Sequence, residues 1–181
     1  QINSLDLIKS RLQPFTSTIF AFNERTAGIW SGIERKIDDA VSRLLDLQVK
    51  LIFEKTGLSL YYNLFNMIFP ITSVQDELDY DMYLSLCENP LMKLETIREK
   101  VKGSLNEYAP QALTDVQANL LFRLTAPAIA DYVCDSCLAK LSLFYVTFRR
   151  VLMHLYPDRI EDIASILNFS EEEFKTLIGI H

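Results

Sequence analysis

Seven apolar residues, Ile29, Ile33, Ile37, Ala40, Leu44, Leu47 and Leu51, follow one another at steps of four and three. Steps of that size return a side chain to the same side of an α-helix at each turn, so the run predicts a long amphipathic helix with one apolar stripe. Charged residues fill the other face. There Arg35 and Asp39, Asp39 and Arg43, and Asp46 and Lys50 stand at i and i+4, pairs that each add a few tenths of a kcal/mol. Gly57 stands where a left-handed cap would end the helix.

The rest of the chain extends this pattern. Upstream, a helix starting near Ser4 carries Leu5, Ile8 and Leu12 until Pro14 kinks or ends it, and a second piece resumes through Ile19, Phe20 and Phe22. Around Gly28 and Gly32 the chain either bends or packs very closely on a neighbour, the geometry of a small-x-x-x-small pair. Downstream, Leu58 to Phe69 reads as a shorter helix stopped at Pro70, and Thr72 to Glu88 as an acidic connection with one weak helix. Asn89 and Pro90 mark a new start, because Asn caps free amides and Pro suits the first helical position. That helix carries Leu91, Leu94, Ile97, Val101 and Leu105 to a break at Pro110.

Thr114 and Gln117 have capping-box spacing and open a segment from Val116 to Tyr156, interrupted only by Pro127. Its few charges predict a central helix covered on most sides. Asp158 with Glu161 and Ser170 with Glu173 repeat the capping spacing and start two short terminal helices, with Ile160, Ile163, Leu167, Phe174, Leu177 and Ile178 on their apolar faces.

No stretch alternates with period two for long enough to build a sheet, and 5 Gly and 6 Pro are too few for a turn-dense β fold. The fold class is therefore all-α. At 181 residues the chain has room for one core or a short rod of stacked helical bundles. It reads as one helical unit over 1–181: first helices in 1–70, an acidic connection in 71–89, and central and terminal helices in 90–181. Because it starts at Gln1 and enters an apolar-periodic segment at once, it reads as the C-terminal fragment of a larger protein.

Several functions are disfavoured by the residues themselves. A net charge of -6 opposes nucleic-acid binding, which needs a basic face to displace counterions. Thr56 to Gln75 is the longest uncharged stretch, but Ser59, Asn63, Asn66, Pro70, Thr72 and Ser73 interrupt it, so it reads as a buried helix and its turn rather than a membrane span. Cys87, Cys134 and Cys137 are an odd count without framework spacing and read as reduced cytosolic thiols.

No catalytic, cofactor or metal site emerges. Cys134 and Cys137 form a C-x-x-C pair in mid-helix, but there is no second pair and His154 lies more than four turns away, so a zinc site lacks ligands. His181 is the last residue and His154 sits among Leu152, Met153 and Leu155, neither in a setting for a general base. Asp76, Glu77, Asp79 and Asp81 cluster, yet the sixth and twelfth positions of a calcium loop counted from Asp76 would be Asp81 and Cys87 rather than Gly and Glu. Arg149 with Arg150, and Arg98, Lys100 and Lys102, are basic clusters that read as helix-surface charge.

One resemblance is more specific. The stretch from Ile33 to Leu64 reads I-x3-I-D-x2-V-x2-L-L-x2-Q and then K-T-G-L-S-L-Y-Y-N-L. With L-L-F-R-L-T-A at Leu120 to Ala126, the small-residue helix from Val133 to Tyr145, and L-Y-P-D-R-I through N-F-S-E-E-E-F-K-T-L-I at the end, it resembles the subunit 6 family of the conserved oligomeric Golgi tethering complex. The segment from Phe65 to Lys102 departs from that pattern. The resemblance implies a helical-rod subunit built of consecutive bundles, peripheral on the cytosolic face of Golgi membranes, which tethers vesicles in intra-Golgi retrograde traffic. Its implied partners are fellow subunits and SNARE proteins, with membrane association through those partners.

The expected activity is thus binding, through grooves that accept a partner's apolar stripe. Phe169, Phe174 and Leu177 are the candidate contacts, because a short terminal helix exposes more of itself. The same architecture fits a subunit of another rod tether, of the exocyst or an endosomal retrograde complex. Two further readings are a small-GTPase regulator supplying Arg123, Arg149 or Arg150, and direct binding of anionic membranes through the basic residues and Trp30.

Overall fold

The computed structural model describes residues 24–73, 79–122 and 124–180. The helices expected from Ser4 to Phe22 lie outside the described residues, as do His181 and two members of the acidic cluster, Asp76 and Glu77. Among the described residues there are nine α-helices joined by short 3-10 and π turns, and no strand. The all-α expectation holds.

The first helix, α1 (Glu24–Lys55), is unbroken through both Gly28 and Gly32. Among the described residues neither glycine approaches a neighbour, and a Cβ built on either meets nothing. Among the described residues no close crossing forms there, and both glycines are exposed or half-exposed helical positions. The three suggested i,i+4 ion pairs are not closed either. Lys50 instead reaches Glu54 at 4.0 Å.

α1 ends as Gly57 predicts. Its φ is +73°, and the amides of Gly57 and Leu58 donate to the carbonyls of Glu54 and Phe53 at 3.1 and 3.0 Å. This crossed pair with a left-handed glycine is a Schellman cap, closed by the apolar contact of its flanking residues, here Phe53 and Leu58, both buried. The chain reverses into α2 (Ser59–Ile68). The weak helix of the acidic connection is α3 (Tyr80–Cys87), where the Asp79 carboxylate accepts from the Met82 amide.

After Asn89, whose side chain accepts from the Leu91 amide, the expected single helix is broken into pieces. A 3-10 turn leads to α4 (Leu94–Ile97), a π turn over Arg98–Lys102, and α5 (Gly103–Tyr108). Across these pieces Leu94, Ile97, Val101, Leu105 and Tyr108 all stay on the buried side. Pro110 is absorbed in a 3-10 turn, so α6 (Ala112–Leu121) starts before Thr114, whose hydroxyl caps nothing. Asp158 likewise falls inside a 3-10 turn rather than at a cap.

The long helix α7 (Pro127–Leu155), with Pro127 in its first turn, is the hub. It packs against α1, α6, α8 (Ile160–Ile166) and α9 (Glu171–Leu177). Fifteen of its 29 residues are buried, as its scarcity of charge requires. Phe144 and Phe148 stack at 5.6 Å. Around them stand Phe53, Tyr61 and Phe65 at 5.1 to 5.7 Å. Aromatic contacts of this kind add about 0.5–1.5 kcal/mol each to the burial itself. One continuous core runs from Val41 to Ile178.

Candidate protein-binding surface

The candidate chemical groups are either built into the fold or stand alone on its surface. Cys134 and Cys137 are buried on α7. Desolvation pushes their thiols up to about 11 and about 12, so the reactive thiolate is almost unpopulated at neutral pH. His154 is exposed on the last turn of α7, edge-on to Tyr83 at 5.9 Å. Among the described residues no three His, Cys, Asp or Glu side chains are grouped so as to hold a metal ion.

The arginines offered as GTPase-directed fingers hold the C-terminal helices instead. Arg150 makes a two-pronged contact with Glu171 at 2.9 and 2.7 Å, and Arg149 donates to the Leu167 carbonyl at 3.1 Å. The side chain of Arg123 lies outside the described residues. Trp30 is half-buried and its indole donates to Glu34 at 2.9 Å. Among the described residues, no helix is long and apolar enough to cross a membrane.

The three predicted contact residues divide. Phe174 is completely buried, stacked flat on Tyr145 with ring centroids 3.8 Å apart. Its place is beneath the surface, because α9 is anchored on α7 and not splayed from it. Phe169 and Leu177 are half-buried and line, with Glu172, Glu173 and Thr176, a shallow depression of about 500 Å³. The anchoring is local and strong. Ser170 and Glu173 form the predicted reciprocal capping box at 3.2 and 2.7 Å, and the Tyr145 hydroxyl donates to the Phe169 carbonyl at 2.6 Å. A rigid apolar depression with an acidic rim follows.

Two larger apolar features were not anticipated as surface. Phe122, at the end of α6, is 91% exposed beside Leu121. On α1 the burial is rotated relative to the expected stripe: Val41, Gln48, Val49, Ile52, Phe53 and Thr56 face the core. Ile29, Ile33, Leu47 and Leu51 remain 41 to 61% exposed, and Ile37 and Leu44 lie half-buried at the border. The helix is thus apolar over about half its circumference, and the chain covers only part of that arc. Composition alone could not show this, since both arcs have helical spacing.

The comparisons with known proteins assign this arrangement. A family model described as Conserved Oligomeric Golgi complex subunit 6, C-terminal, matches residues 1–178. The chain belongs to this subunit 6 family. The match includes residues 65–102, so the segment that departs from the resembling pattern is nonetheless part of the family region. A curated subunit 6 from Vanderwaltozyma polyspora is 57% identical over 180 residues, 99% of this chain and 22% of that protein. Subunit 6 proteins from Candida glabrata and Saccharomyces cerevisiae are 53 and 56% identical over the same share of the chain, with 22 and 21% of their own lengths covered. The chain therefore spans about a fifth of the curated relatives it matches. No solved structure matches it.

Proposed function

We propose that this chain is the C-terminal helical part of a vesicle-tethering subunit of the Golgi complex, acting by holding other proteins. The observation that carries the reading is the family match along nearly the whole chain, at more than half identity to relatives named as subunits of that complex. The physical features support it: helices packed on one core leave apolar surface uncovered on α1 and beside α9, while Cys134 and Cys137 are buried and Arg150 is paired with Glu171. In this reading the protein is peripheral on the cytosolic face of Golgi membranes and serves intra-Golgi retrograde transport. Fellow subunits and SNARE proteins are its partners, and it performs no catalysis.

The half-exposed Phe169 and Leu177 are the proposed contacts of the C-terminal surface. An apolar anchor seated between them would lose water from both sides, while the rim of Glu172 and Glu173 favours a partner with basic flanks. Affinity purification of the tagged full-length subunit tests the reading. Recovery of the other Golgi complex subunits is expected; recovery of exocyst or endosomal retrograde subunits in their place would reverse it. Leu177→Asp is expected to reduce capture of SNARE proteins at unchanged helical content.

A further inference from the structure

The open side of α1 carries more information than its apolarity. From Trp30 to Leu51 the stripe follows a seven-residue repeat through three heptads: Trp30, Ile37, Leu44 and Leu51 at one core position, Ile33, Ala40 and Leu47 at the other. Such a repeat is the seam of a helix that pairs with another helix, each apolar side chain seated between four of its partner's. At about 1.5 Å per residue the seam is about 32 Å long. One flank of the seam is Val41 and Gln48, both buried against the core. The other flank is Lys36, Arg43 and Lys50, all exposed and all basic.

We infer that the Trp30–Leu51 seam of α1 docks an amphipathic helix supplied by another polypeptide, whose apolar stripe is flanked by carboxylates opposite Lys36, Arg43 and Lys50. Flanking charges decide which helices pair and in which direction. They also exclude the nearer occupants. In an antiparallel pair of two copies the three basic residues would face each other. In a parallel pair they would face Val41, Gln48 and Lys55, the first two already buried in their own subunit and the third of like charge. Within this chain, residues 1–23 hold a single carboxylate, Asp6, against Lys9 and Arg11. The acidic run from Asp76 to Asp81 is six residues, under two turns and far shorter than the seam.

This inference rests on the proposed role as a subunit that holds other proteins, at a surface separate from Phe169 and Leu177. Two synthetic four-heptad helices with leucine seams test it, one flanked by glutamates and one by lysines, titrated against the full chain by fluorescence anisotropy. The glutamate helix is expected to bind at least about tenfold more tightly and to weaken with added salt. Leu47→Asp with Leu51→Asp should abolish binding, and Lys36→Glu with Arg43→Glu and Lys50→Glu should transfer preference to the lysine helix. All five side chains are exposed, so thermal unfolding should be little changed, and the charge reversal stands as a test even where the leucine pair perturbs folding. Equal binding of the two helices, no binding of the glutamate helix, or binding that survives the leucine replacements would overturn the inference. A photo-crosslinker at position 47 of the intact subunit in cells should capture another polypeptide; capture only within the same polypeptide would also overturn it. Normal co-purification of the complex alongside any of these failures would leave the tethering role standing.

Discussion

Tyr145 and Phe174 stack with ring centroids 3.8 Å apart and planes 11° from parallel, and the Tyr145 hydroxyl reaches past the stack to the Phe169 carbonyl at 2.6 Å. One residue of the hub helix thus fixes both the ring at the centre of α9 and the loop before it. Phe174→Ala should remove about 3–5 kcal/mol of local packing and release residues 167–178, seen as faster amide exchange and proteolysis there with the aromatic core of α1, α2 and α7 still protected. Leu177→Ala, at the half-exposed rim, should leave that protection nearly unchanged. Equal exchange in the two variants would mean that the stack does not hold the terminus.

Gly57 has two reasons to be glycine. Its φ of +73° is one that side chains rarely adopt, and a Cβ there would meet the Lys100 carbonyl oxygen at 2.5 Å, a backbone atom that cannot swing aside. Gly57→Ala should cost about 2 kcal/mol or more, lowering Tm by about 4–8 °C for a chain of this size. Gly28→Ala makes the contrast, since that glycine is helical with open space around it; there a gain of about 0.5–1 kcal/mol is expected. Calorimetry on the two variants checks both signs. A Gly57→Ala protein as stable as the parent would contradict the cap.

The difference between these glycines shows what was legible in the sequence. The Gly57 cap, the Ser170 capping box and the central helix at α7 are local consequences of residue type and spacing, and each appears where the pattern puts it. The Thr114 and Asp158 boxes have the same spacing and do not form, because the neighbouring Pro110 and Pro157 impose 3-10 turns that shift the helix starts. The stripe of α1 was legible as a helix but not in its orientation: Val41, Val49 and Ile52 compete with Ile33, Leu47 and Leu51 for the core, and only the position of α7 decides between them. Phe174 illustrates the same limit at the binding surface. A large ring on a short helix reads as exposed until the Tyr145 platform beneath it is known.

The cysteines give a direct test of burial. Cys87 is exposed, whereas Cys134 and Cys137 are buried with their thiols pushed up to about 11 and about 12 by desolvation. Alkylation needs the thiolate and access to it. Treating the native protein with iodoacetamide near pH 8 should therefore label Cys87 alone, and denaturant should expose all three, read by intact mass and peptide mapping. Rapid native labelling of Cys137 would show that α7 is not the covered hub its packing indicates.

The Arg150–Glu171 contact makes the docking of α9 depend on pH in a defined direction. The guanidinium hydrogen bond holds the Glu171 carboxyl below its ordinary value of 4.5, against the opposing effect of burial. A carboxyl with a lowered folded-state pKa adds stability above its unfolded value and loses that contribution as pH falls through the folded one. The contact is therefore fully effective at neutral pH and declines below about pH 4.5. With side-chain exposures of 39 and 26%, solvent screening limits it to about 1 kcal/mol. Urea unfolding of the parent and Glu171→Gln should differ by about that amount at pH 7 and converge once the pH has fallen below the lowered folded-state value, because protonation leaves the parent with a neutral carboxyl as well. A difference that persists unchanged into acid would assign the effect of the substitution to packing and remove the ion pair from the account of how α9 is held.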